Sequence, residues 1–186
     1  MKVVSISILV FILLSFSINP IKTRVKITSK SEVTIKGKSN VNSFECKYDS
    51  DCIEDEISVT VTRSNTKILF DGAKISIQSK GFDCRHKMIT KDFKKILKAD
   101  DYSHIEIDLE ELVTNKNEIT AKICVEIAGV KKQYTVPVTF DSKKRNVKGI
   151  LKMNIKDFYL QSPKKLLGIV TLNDNVAIDF NLFLQY

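Results

Sequence analysis

From residue 56 onward, apolar and polar side chains alternate with a period of two, the mark of strands that bury one face. Glu56 to Thr62 reads Glu-Ile-Ser-Val-Thr-Val-Thr and places Ile57, Val59 and Val61 on one side. Lys67 to Phe70 and Ala73 to Gln78 continue the pattern around Asp71-Gly72, and His104 to Leu109 alternates without a break. Glu118 to Ile127 and Gln133 to Phe140 read as a hairpin closed around Ala128–Lys132. Asn146 to Met153 puts Val147, Leu151 and Met153 on a common face, with Gly149 permitting a close approach or a bend. Asn175 to Tyr186 aligns Val176, Ile178, Phe180, Leu182 and Leu184.

One helix interrupts the strands. Thr90 is the expected N-cap, since its hydroxyl can satisfy a free amide at a helix start. Phe93, Ile96 and Leu97 follow at i, i+3 and i+4, and Asp100-Asp101 is expected to end the helix. The reading is all-β with one short helical insertion. Strands this numerous and amphipathic require a sandwich or a closed barrel, and closure removes exposed edges.

The first residues have a different character. Lys2 is followed by Val3 to Phe16, an unbroken run of Val, Ile, Leu, Phe and Ser. The run has the length of a signal peptide and is shorter than the roughly 20 apolar residues that span a bilayer. Ser15-Phe16-Ser17 offers a small-x-small cleavage site, so residues 1–17 are expected to be a leader and residues 18–186 a single domain. The product is expected to be exported, to a periplasm or outside the cell. Cys46, Cys52, Cys84 and Cys124 suit an oxidising compartment; four cysteines permit three connectivities, among which spacing does not choose. No Cys-x-x-Cys pair is present, and His86 and His104 are not spaced as ligands, so no metal is expected.

The chain carries 30 basic and 22 acidic residues, a formal net charge of +8 that reads first as a solvated basic face and also suits peripheral contact with an anionic membrane, lipid headgroups or acidic polymers. The lysines are scattered among apolar residues, with no aromatic-studded basic run of the kind that grips nucleic acid strands. No nucleic-acid partner is therefore expected. Catalytic templates are missing as well: there is no Gly-x-Ser-x-Gly elbow, no phosphate-cradling glycine loop and no His-Glu-x-x-His. Asp100-Asp101 and Glu110-Glu111 read as solvated strand or turn ends. The chain is expected not to be an enzyme and to need no cofactor.

A set of local patterns carries more. Ile35-Lys36-Gly37-Lys38-Ser39-Asn40-Val41-Asn42-Ser43-Phe44-Glu45-Cys46 is followed by Gly81-Phe82-Asp83-Cys84, Met88, Asp92-Phe93 and Leu97-Lys98-Ala99. Tyr102 and Ile105, Ala128-Gly129-Val130, Asp157-Phe158 and Leu167-Gly168 complete it. In order and spacing these resemble the YceI-like family of lipocalin-like, polyisoprenoid-binding proteins, and more narrowly its branch in Bacteroidetes-type bacteria. Ser103 departs from the family's usual proline in a Tyr-Pro-x-Ile stretch, which puts the local turn in question. The resemblance implies an eight-stranded antiparallel barrel around an elongated apolar cavity that takes an isoprenoid or fatty-acyl chain.

Such a barrel is either filled by its own side chains or holds one small ligand. The expected lining is Phe44, Phe82, Ile105, Ile107, Ile123, Val125, Phe158, Leu160, Ile178 and Phe180, each equally suited to core packing. Phe158 and Leu160, just before Ser162-Pro163, are expected near a cavity mouth, with Lys164 and Lys165 close by. The primary expectation is an exported carrier or sequestering protein for an amphiphile such as an isoprenoid, a quinone or a fatty-acyl chain. The alternative is a non-enzymatic structural or interaction module with a filled barrel and a basic exterior.

Overall fold

The computed structural model describes residues 19–49, 56–116, 118–162 and 171–186. Among them the chain forms β1 (Ile21–Ile27), β2 (Glu32–Lys38), β3 (Ser43–Tyr48), β4 (Glu56–Arg63), β5 (Lys67–Asp71), β6 (Lys74–Gln78) and β7 (Phe82–Asp83). Then come α1 (Lys87–Ile96), β8 (His104–Asn115), β9 (Glu118–Ile127), β10 (Val130–Asp141), β11 (Asn146–Asn154) and β12 (Asn175–Gln185).

Pairing closes these strands into a ring. β12 bonds to β11 along one edge and, along the other, to β2 and then β1, so β1 and β2 run end to end in one direction. The break between them is stitched to β12: Thr28 N donates to the Phe183 carbonyl at 2.9 Å, and the Ser31 hydroxyl accepts from Phe183 N at 2.9 Å. β5 and β6 likewise share β8, with Gly72 and Ala73 between them. The closed order is β1-β4-β5-β8-β9-β10-β11-β12 and back to β1, eight strands with every pairing antiparallel. β2, β3 and β7 extend the wall beyond β12, as β6 does on β8. The expected eight-stranded antiparallel barrel with one helix is what forms.

The barrel has two unlike ends. At one lie the β4–β5 and β10–β11 hairpins, the facing ends of β8 and β9, and the C-terminal Tyr186. At the other lie the β2–β3 and β9–β10 connections, α1, and a 3₁₀ turn at Ile155–Phe158. The β9–β10 hairpin is tighter than the sequence suggests. Val130 pairs with Ile127, and only Ala128 (φ 49°) and Gly129 (φ 76°) turn the chain. Positive φ at both central residues gives the turn whose twist matches the flanking strands.

Helix α1 also departs from expectation at both ends. It begins at Lys87 after His86, so Thr90 lies inside its first turn and is not the N-cap. The Thr90 hydroxyl reaches back instead, accepting from Cys84 N at 3.0 Å and donating to Asp83 Oδ1 at 3.1 Å. The helix stops before Asp100-Asp101 because Lys98 turns left-handed (φ 51°). Ala99 N then reaches the Lys94 carbonyl and Lys98 N the Lys95 carbonyl, each at 3.0 Å, which satisfies carbonyls left open at the helix end. Where Ser103 replaces the expected proline, its carbonyl accepts from Ser79 N at 2.8 Å.

Candidate functional site

Directly opposed residues of an antiparallel pair point to the same side of the sheet. Register therefore sets the inward face. One belt runs Cys46, Ile35, Ile178, Leu151; another runs Val33, Phe180, Gly149, Val138, Ile119. Across the barrel lie Ile75, Ile107 and Val125, then Leu109, Ile123 and Tyr134. An irregularity between Leu109 and Glu111 shifts the register so that Leu112, opposite Ala121, stays in phase with Leu109. Aromatic rings exploit two inward glycines. A Cβ on Gly37 would sit 2.2 Å from Phe44 Cζ, and one on Gly149 would sit 2.5 Å from Phe180 Cζ, so each ring lies over bare backbone.

These inward side chains are not buried alike. At the α1 end, Phe82, Phe93, Leu97, Ile105, Ile127, Met153, Phe158 and Leu160 are fully buried. Phe82 packs against Tyr48 and Phe93 with ring centroids 5.0 and 5.5 Å apart, and a disulfide joins Cys46 to Cys84 beside them. Further along, Ile107, Leu109, Leu112, Ile123, Ile178, Phe180 and Leu182 keep part of their surface accessible. Several of these stand in mid-strand, away from any rim. Inward side chains exposed at mid-wall mean an accessible apolar lumen, which among the described residues is capped at one end and not at the other.

Of the residues expected to line a cavity, Ile107, Ile123, Ile178 and Phe180 fall in this half-buried set, and Phe44 is half-buried as well but stands beside the β2–β3 connection, at the α1 end. Phe82, Ile105, Val125 and Phe158 are sealed into the packed part, whereas Leu160, though buried, borders a cleft of about 620 Å³ with Lys156, Tyr159, Ser162 and Leu172 among others. Phe158 is a correction to the sequence reading: it borders no opening, is 0% exposed, and stacks on Tyr134 at 6.3 Å. The 3₁₀ turn folds it inward as part of the cap. Lys164 and Lys165 lie outside the described residues, as does Cys52. Cys124 is free.

Sequence reasoning missed Ile75, Leu109, Leu112 and Tyr134 as lining. Tyr134 was legible, being in phase with Val136 and Val138. It brings a polar group to an apolar wall: its hydroxyl donates to Asp157 Oδ2 at 3.2 Å. Burial and then the Asp157 charge push the phenol up to about 12, so it stays protonated. Among the described residues no cluster of His, Cys, Asp and Glu is arranged to hold a metal. On the outside, a cleft of about 520 Å³ at the α1 end is lined by Lys80, Arg85, His86, Lys91 and Asp100 among others.

A ring of eight strands around an accessible apolar interior defines a lipocalin-like barrel. The comparisons agree and go further. A family model described as the YceI-like domain matches residues 16–184, and the chain belongs to the YceI-like family, known for lipid- and polyisoprenoid-binding barrels. The crystal structure of Burkholderia cenocepacia BcnA superposes with a TM-score of 0.61 at 20% identity, covering 84% of this chain and 97% of that one. The Campylobacter jejuni YceI protein is more distant, with a TM-score of 0.42 at 13% identity over 67% of this chain and 80% of its own. No curated protein matches the chain. The family is one of binding proteins and not a known family of enzymes.

Proposed function

We propose that this protein is an exported, non-enzymatic carrier or sequestering protein that holds the long apolar tail of an amphiphile in its lumen. An isoprenoid, a quinone or a fatty-acyl chain fits the chemistry. The observation that carries the reading is the partial exposure of Ile107, Leu109, Ile123, Ile178 and Phe180 on the inward face of a closed ring. Water in contact with such a wall is unfavourable, and each methylene that replaces it contributes about 0.8 kcal/mol. A tail of ten or so methylenes binds tightly on that basis without a directed hydrogen bond. Selectivity then follows lumen length and width, with Tyr134 the polar exception. Export is supported by the apolar run at residues 3–16 and by the Cys46–Cys84 disulfide, which belongs in an oxidising compartment.

The test is organic extraction and mass spectrometry of protein purified without detergent from an envelope-bearing host. A stoichiometric amphiphile with a long apolar tail is the expected result. Finding none, and finding that long-chain lipids added back do not bind, would sink the carrier reading. It would favour a filled barrel acting as a structural or interaction module, for which the sealed α1 half is the supporting observation.

A further inference from the structure

Many cations on the barrel wall are paired with acids, although Lys22, Lys26, Lys132, Lys148 and Lys152 there are exposed and make no salt bridge among the described residues. Lys67 pairs with Glu111 at 2.7 Å, Lys74 with Glu106 at 3.1 Å, Lys122 with Glu110 at 3.5 Å, Lys131 with Glu126 at 3.6 Å, and Lys36 with Asp179. At the open end four more gather on one rim, where Glu118 is an exposed acid beside them. Arg63 closes β4, Lys116 follows β8, and Lys143 and Lys144 lie between β10 and β11. All four are exposed, and none makes a salt bridge among the described residues. Asp141, the nearest acid to the last two, is engaged in shaping their turn: its Oδ1 accepts from both Lys143 N and Lys144 N at 3.0 Å.

Within this collar stand apolar side chains left in water. Ile21 is 58% exposed and Phe140 44% exposed. Ile21 is opposite Val61, and Phe140 continues the inward phase of Val136 and Val138, so the lumen lining runs out onto the rim. The chain also enters the barrel here, through Asn19 and Pro20 ahead of β1. Exposed apolar groups inside a ring of unpaired cations match an anionic bilayer, whose headgroups attract the charges and whose acyl boundary takes the apolar rim.

We propose that the open end docks mouth-first on an anionic lipid bilayer, so that a tail passes between bilayer and lumen without crossing water. The inference rests on the lumen reading and names the surface that loads it. The α1 end supplies the control. It too is basic, through Lys87, Lys91, Lys94 and Lys95, and carries an exposed Met88, but Phe93 and Leu97 seal the lumen beneath it.

Co-sedimentation of the exported protein with phosphatidylcholine vesicles, with and without phosphatidylglycerol, tests this. Wild type is expected to bind only the anionic vesicles, less as salt rises. At roughly fivefold per cation, R63Q/K116Q/K143Q/K144Q is expected to weaken partitioning by several hundredfold. Phe140→Ser is expected to weaken it about tenfold by removing apolar contact, with no change in charge. K87Q/K91Q/K94Q/K95Q removes the same net charge from the other end and is expected to cost far less. Equal losses from the two quadruple variants, a larger loss from the α1 set, full binding by Phe140→Ser, or no preference of wild type for anionic vesicles would each overturn the proposal. Circular dichroism confirms that each variant is folded. Lipid extraction of the collar variant separates the two readings: bound lipid without docking leaves the lumen intact, whereas an empty wild-type barrel sinks the lumen itself.

Discussion

Ile105 and Ile107 are two residues apart on the same face of β8, yet only the first is sealed. Elsewhere in the ring the two classes also stand side by side, as half-buried Leu112 does opposite buried Ala121. Near α1, inward side chains meet Phe93 and Leu97 from the helix, Phe158 and Leu160 from the 155–160 segment, and the Cys46–Cys84 disulfide. Toward the other end Leu109, Leu112, Phe180 and Leu182 keep surface accessible, although Ala121, Val136 and Val138 beside them are buried, and among the described residues no helix or 3₁₀ turn packs over them. An eight-stranded wall is wide enough that closure alone does not fill it. The filling comes from segments outside the wall, so packing at one end and accessibility at the other are separate features and can be perturbed separately.

The largest effect belongs to the packed end. Phe158→Ala leaves a cavity where a ring is 0% exposed, and such truncations cost about 3–5 kcal/mol. The expected outcome is a matching drop in unfolding free energy by urea titration. A loss below about 1 kcal/mol would mean that the cap is as loosely filled as the mouth. Removing the disulfide as Cys46→Ser/Cys84→Ser comes next. The bridge closes a separation of 38 residues, for which constraint of the unfolded chain gives about 3–4 kcal/mol. Reductant is expected to mimic the double substitution in wild type and to do nothing further to the variant.

At the accessible end the same chemistry is expected to cost less. Leu109→Ala removes a side chain that already keeps solvent on one side, so a loss of about 1 kcal/mol is expected. Leu109→Trp probes the space directly. It is expected to leave stability nearly unchanged while displacing bound lipid, measured by extraction and mass spectrometry. A destabilisation of about 3 kcal/mol, the mark of overpacking, would show the lumen to be filled there and would erase the contrast between the ends.

Alternation made the walls legible. β4 to β6 and β8 to β12 follow from which residues repeat every second position, and in-phase residues do share a face. The turn at Ala128-Gly129 was read too long because an alanine in the left-handed region is not a residue that announces a turn. Thr90 was misplaced for a related reason: a hydroxyl that satisfies amides before a helix looks the same in sequence whether it stands at the cap or one turn in. The site was legible only in part, because periodicity gives direction and not coverage. Nothing in the alternation of Ile105 and Ile107 distinguishes the sealed residue from the accessible one. That distinction is made by α1 and the 155–160 segment, which approach from far along the chain.

The smallest expected effect concerns how the packed half holds β6. Among the described residues β6 is laddered only to β8; its other side is tied by a single bond, from Gln78 N to the Tyr48 hydroxyl at 3.2 Å. Glu106 on β8 grips it from outside, accepting from the Ser76 hydroxyl at 2.8 Å and meeting Lys74 at 3.1 Å. Burial pushes the Glu106 carboxyl up, but the Ser76 hydroxyl and the Lys74 ammonium outweigh it and hold the group below its ordinary value. A carboxyl depressed in the folded state stabilises above its unfolded pKa, roughly 4.3, and loses that contribution as pH falls through the folded value. Glu106→Gln keeps the shape and removes the titration. The gap in urea midpoint between wild type and variant is therefore expected to be steady near neutral pH and to close below about pH 4. A gap that persists unchanged into acid would mean that the carboxylate charge contributes nothing to holding β6, and that the strand stays in place through its ladder alone.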